Sequence, residues 1–333
     1  MRELDPIRRL APPVEPLAPQ DVARIRARAL GATRRRRRNL GAVLAPVVVA
    51  ACAAVVVVLG SGADPEVPAP VAPAESGAGV PRLLLSGGWN VTRVDEWKAG
   101  SGEMTFARDG RELAVSWAPT AEVGVVAGAA TKPGDRPERQ VQVTGAQASV
   151  WRYHGSDAYT ALWRDGDATV EAHGWAASAD EFAAVVAGLE RVDEAAWQRA
   201  LPASAVSPAE RPDTVDAMLE GLPRPPGLDV AGLRESPMTR ERYQLGAQVA
   251  GAVACGWIAE WIGARAAGDD ARAERAVAVL ATSRDWPIVH ELNAEGDYPE
   301  VLRQYADAVA GDSTVVGEKP NSVEESYRAA LCT

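Results

Sequence analysis

Between Asn39 and Ala63 the chain runs for twenty-five residues without a charge, entered directly from Arg34, Arg35, Arg36, Arg37 and Arg38. A helix rises about 1.5 Å per residue, so about 20 residues cross a hydrocarbon core about 30 Å thick. Residues 40–59 supply that length, and a single transmembrane helix is expected over 39–61. Pro46 lies near its start, where a lost backbone hydrogen bond is tolerated better than in mid-bilayer. The five arginines abut the amino-terminal end and no basic residue follows until Arg82. The positive-inside rule therefore puts residues 1–38 in the cytoplasm and the rest of the chain outside it. Val49 to Cys52 has the form of a lipoprotein box, and Ser61 with Ala63 that of a small-residue cleavage site. The apolar run outlasts what either signal needs, which favours a permanent anchor in the cell membrane.

Charge is divided along the same line. Residues 1–38 hold eleven arginines against four acids, and since the whole chain carries −10, the remainder carries −17. An outer part this acidic repels nucleic acid. Leu4, Ile7 and Leu10, then Val22, Ile25 and Ala29, have helical spacing. Such a tail is too short to fold alone; it suits either a lipid surface or a cytosolic regulatory protein as partner. Residues 62–81 contain Pro65, Pro68, Pro70, Pro73 and Pro81 among Ala, Gly and Val, the composition of an extended linker.

From Gly88 to about Gly174 the hydrophobic period is two. Asp109-Gly110 is a hairpin-turn dipeptide that pairs strands at 102–107 and 111–117. Asp165-Gly166 is a second, expected to pair Arg164 with Asp167 and Trp163 with Ala168. That register places Tyr159, Ala161, Trp163, Ala168, Val170 and Ala172 on one face, and Thr160, Leu162, Thr169, Glu171 and His173 on the other. With strands at 141–143 and 149–153, an antiparallel sheet of five to seven strands is expected. Ser178 and Glu181 form a capping box opening a helix over 179–190, and a shorter helix with Trp197 follows. After residues 203–212 the period turns helical, with helices expected at 214–220, 239–267, 270–284, 287–294, 299–310 and 322–331. The fold class is α+β: an α+β domain over 82–200 and an all-α domain over 201–333.

Candidate chemistry is sparse. His290-Glu291 begins like a zincin helix, but Ala294 stands where the second histidine is needed. No CxxC pair, nucleophile elbow or phosphate loop occurs, so no catalytic, metal or cofactor residues are expected. Cys255 and Cys332 follow the span; one disulfide and two buried thiols fit them equally. Seven of the ten tryptophans fall between Trp89 and Trp197, as bulky core filler or as a platform for sugars or peptides.

The opening Met1–Leu10, the arginine run before the span, and the stretches Gly88–Arg93, Ser101–Phe106 and Ala158–Gly166 resemble those of uncharacterised single-pass membrane proteins common in high-GC actinobacteria. The resemblance covers about residues 1–200, and the layout is anti-sigma-factor-like. It implies a signalling context near extracytoplasmic-function sigma factors and brings no catalytic residues with it. The tail lacks the HxxxCxxC zinc module of many such regulators. Two functions are therefore expected of this chain: a non-enzymatic membrane protein that senses outside and relays within, or an extracytoplasmic binding module for cell-wall glycan or peptide.

Overall fold

A computed structural model describes residues 81–121, 136–153, 157–311 and 322–332. The tail at 1–38 with its five arginines, the span at 39–61 and all of the 62–81 linker but Pro81 lie outside these residues.

The architecture is α+β. Strands β1 (Leu83–Leu85), β2 (Asn90–Lys98), β3 (Ser101–Arg108), β4 (Arg111–Pro119), β5 (Arg139–Val143), β6 (Ala146–Arg152), β7 (Ala158–Asp165) and β8 (Ala168–Trp175) come first. All but β1 form one antiparallel sheet in the order β2-β3-β4-β8-β7-β6-β5. Helix α1 (Ala179–Ala187) follows, then β9 (Leu189–Arg191), which pairs with β1, and α2 (Glu194–Ala200). Alternation decides the faces. Met104, Phe106, Leu113, Val115, Trp117, Tyr159, Trp163 and Val170 point to one side and close a core with Phe182 of α1, Leu189 and Trp197. Phe182 stacks on Tyr159 with ring centroids 5.7 Å apart.

The first hairpin pairs Arg108 with Arg111, and Asp109 and Gly110 both have positive φ, as a type I′ turn requires. The second is displaced from its expected register: Asp165 pairs with Ala168 and Trp163 with Val170, so Gly166 and Asp167 make the turn. Asp165 belongs to the ladder, where its buried carboxylate meets the Arg191 guanidinium. The shift moves each partner by two residues, so the two faces stay as expected. Helix α1 also ends earlier than its periodicity suggests, at Ala187, because Leu189 leaves to pair with Leu85. Only half of the expected box forms: the Ser178 hydroxyl accepts from the Glu181 N–H, but Glu181 accepts from the Ala177 N–H.

The remaining elements are β10 (Ala205–Val206), α3 (Arg211–Met218), α4 (Val230–Arg234), β11 (Arg240–Glu241), α5 (Arg242–Ala267), α6 (Asp270–Ala281), a 3-10 turn (Thr282–Asp285), α7 (Pro287–Asn293), α8 (Tyr298–Gly311) and α9 (Val323–Leu331). The strands β10 and β11, which pair with each other, and helix α4 are additions to the helical pattern read from sequence. Helix α5 is the axis of a second core: Leu245, Val249, Val253, Ile258 and Trp261 are buried against Leu280, Ile288, Leu292, Leu302 and Leu331. It is the one described helix long and apolar enough to cross a bilayer, and over half of its most apolar stretch is buried in the structure, as in a core helix of a soluble domain. Cys255 of α5 is bridged to Cys332, with Cα atoms 5.8 Å apart. Gly251, one turn earlier, lies where a Cβ would strike the Leu331 carbonyl, so α9 docks directly on helix backbone.

A buried ionic seam joins the sheet to the helices. The Glu96 N–H donates to the Thr239 carbonyl at 2.8 Å, and the Thr239 N–H returns a 2.8 Å bond to the Glu96 carboxylate. Asp95 accepts from the Glu241 N–H at 3.1 Å and pairs with Arg240 at 3.0 Å. Glu96 also holds Arg82 at 2.6 Å, and Arg82 lies over Trp197, 3.9 Å from the ring centroid.

Two stability changes follow from these contacts. Glu96→Ala leaves the Thr239 N–H without its acceptor and Arg82 with Glu194 alone, and is expected to cost about 3 kcal/mol, with Glu96→Gln costing less because it retains the acceptor. Cys332→Ser opens a crosslink spanning 77 residues and is expected to cost about 4 kcal/mol. Urea unfolding of each variant beside the parent measures both, and reduction of the parent should reproduce the second loss.

Candidate functional site

The face of the sheet turned away from α1 carries the polar partners of the core residues. The register sets Asp95, Glu103, Ser116, Glu171, Leu162 and Ser149 side by side across six strands. The adjoining row runs Arg93, Thr105, Ala114, His173, Thr160, Trp151. Asp95 and Thr160 are buried and the other groups half-buried, so none is freely solvated. Burial pushes the Glu103 carboxyl up, against the pull of Arg93, whose guanidinium is 4.0 Å away. Burial alone raises Glu171, which has no ion-pair or hydrogen-bond partner among the described residues. His173 is lowered by burial and shares a 3.2 Å hydrogen bond between Nδ1 and the Thr160 hydroxyl. In the seam, burial raises Asp95 despite Arg240, and raises Glu241 with help from Glu295.

At one end of this face the rings form a ladder. Tyr153 meets His173 edge-on at 6.1 Å, and His173 meets Trp175 edge-on at 5.7 Å. Trp175 is 58% exposed and borders an open cleft of about 560 Å³ with Arg111, Asp157, Ala176, Ala177 and Glu181. The other exposed tryptophan, Trp97, is 46% exposed at the opposite end of the sheet. Five of the seven tryptophans expected to act as filler or platform, Trp89, Trp117, Trp151, Trp163 and Trp197, are buried or half-buried. A smaller cleft of about 240 Å³ between α7 and α8 is lined by His290, Asn293, Glu300 and Arg303. Its Arg303 is already held by Glu300 at 2.5 Å and by Asp307 at 3.4 Å.

Among the described residues no three His, Cys, Asp or Glu side chains are grouped to hold a metal ion. The bridge to Cys332 leaves no free thiol at Cys255. Sequence reading missed Asp95, Glu96, Glu103, Asp157 and Glu181 as participants in a site. Glu171 and His173 were placed on the correct face, but their burial depends on neighbours from other strands.

A raised carboxyl favours the protonated folded state, so its contribution is present below the ordinary carboxylate range and is lost as pH rises through the raised value. His173 acts in the opposite sense, its contribution being lost as pH falls. Replacing Glu103 and Glu171 together by Gln removes only the first effect. Relative to the double variant, the parent should lose thermal stability as pH rises above the ordinary carboxylate range, and paired melts across a pH series measure the difference. No protein-family model, curated protein or solved structure matches the chain.

Proposed function

We propose that this is a non-enzymatic, single-pass membrane protein whose outer domains, at 82–200 and 201–333, sense a ligand outside the cytoplasm. In this reading the bilayer is held by residues 39–61, and the tail at 1–38 engages a cytosolic regulatory protein, linking the chain to sigma-factor signalling. One observation carries the outer half of the proposal: the sheet is covered by α1 on one side, while the other side presents polar and aromatic groups ending in exposed Trp175. The Cys255–Cys332 bridge supports an oxidising compartment for these domains. The Arg34–Arg38 run supports the inward orientation of the tail. A second reading, a binding module for cell-wall glycan or peptide with no relay, is favoured by the Trp175 cleft.

A reporter enzyme active only outside the cytoplasm, fused after Ala74, should be active; activity of a cytoplasmic reporter at the same site overturns the topology. Capture with the native tail should retain a sigma factor or similar regulator that is lost when Leu4, Ile7 and Leu10 become Ser. If neither tail retains one while the outer domains bind isolated wall, the second reading replaces the first.

A further inference from the structure

The cleft beside Trp175 joins one flat apolar surface to three charged groups, and the present engagement of those groups narrows what it can hold. Trp175 and His173 meet in a T-shaped contact, and no described ring stacks on the indole. An indole so exposed is an unusual use of the largest apolar side chain unless a ligand covers it. Arg111 lies 2.8 Å from one oxygen of Glu181, whose other oxygen accepts from the Ala177 N–H at 2.7 Å. Asp157 lies 3.9 Å from the Arg152 guanidinium. Arg111 and Glu181 are thus already paired and oriented, while Asp157, its side chain 88% exposed, has only the distant Arg152 opposite it. A charged ligand would have to displace a partner, whereas a neutral polyol can donate hydroxyls to Asp157 and Glu181 and accept from Arg111 while the pairs persist. Ala176 and Ala177 leave the floor shallow, without an apolar socket for a peptide side chain.

We propose that this cleft binds a pyranose ring of a neutral glycan, its C–H face against the Trp175 indole and its hydroxyls on Asp157, Glu181 and Arg111. The proposal rests on the reading of the outer domains as a ligand-binding module and commits that module to sugar rather than peptide.

The full chain in detergent is titrated with tetra-N-acetylchitotetraose, a neutral chain of linked pyranoses, and followed by calorimetry. Saturable binding is expected, weakened at least about tenfold by Trp175→Ala and several-fold by Asp157→Asn. Trp97→Ala, also an exposed tryptophan but remote from the cleft, should leave affinity within about twofold. Because both tryptophans are exposed, matching melts of the two variants separate lost binding from lost folding. Absence of saturable binding, or binding that Trp175→Ala leaves intact, overturns the proposal. Sedimentation with isolated peptidoglycan is run in parallel. Retention there without oligosaccharide binding overturns the sugar assignment and leaves the wall-binding reading standing, and loss of both overturns both.

Discussion

The paired exchange between Glu96 and Thr239 is the contact on which the two halves of the described structure depend. Its partners are separated by 143 positions, so closing it costs chain entropy that neighbouring contacts must offset. Asp95, Arg240 and Glu241 supply them, and all of these groups leave water to do so. Buried charges are costly unless their bonds are satisfied, which makes this seam demanding of geometry rather than generous in energy. Thr239 and Glu241 lie at the head of α5, and the Glu241 carboxylate caps that helix by accepting from the Tyr243 N–H at 2.9 Å. The direction in which the longest helix leaves the sheet is therefore set by the same few residues that hold the halves together.

The seam also separates what could be read from the sequence from what could not. Local chemistry was legible: Asp-Gly at 109–110 and 165–166 marked two hairpins, alternation assigned both faces of β7 and β8, and Ser178 caps the helix expected of it. The second turn was misplaced because Asp165 was read as a turn residue, and its ion pair with Arg191 lies 26 positions away. The end of α1 was misjudged for the same reason, since Leu83–Leu85 recruits Leu189 from the far side of the domain. No local signal distinguishes Asp95 and Glu96 from a pair of solvated acids at a strand end. Glu171 stood on the polar side of an alternating strand, and only its flanking strands show that it is half-buried, with no side-chain partner among the described residues.

The two faces of the sheet show how one alternation serves two purposes. The covered side is filled by large rings and branched chains, with Trp197 beneath Arg82 completing the closure. The side turned away from α1 keeps acids and a histidine at partial burial, where charge is costly and therefore responsive to what approaches. Burial pushes the Glu171 carboxyl up, and a group perturbed in this way is a candidate for a site as well as for packing.

The pairing of residue 239 with β2 has a consequence at the margin of the sheet. A border strand with free N–H and C=O groups invites another chain to add to it. At β2 that route is interrupted near Glu96, because Thr239 already occupies the place a guest strand would take. The opposite border is β5, five residues long and carrying Arg139, Gln140 and Gln142. A short, polar border is a poor template for strand addition. The sheet therefore carries its own protection against polymerising edge to edge.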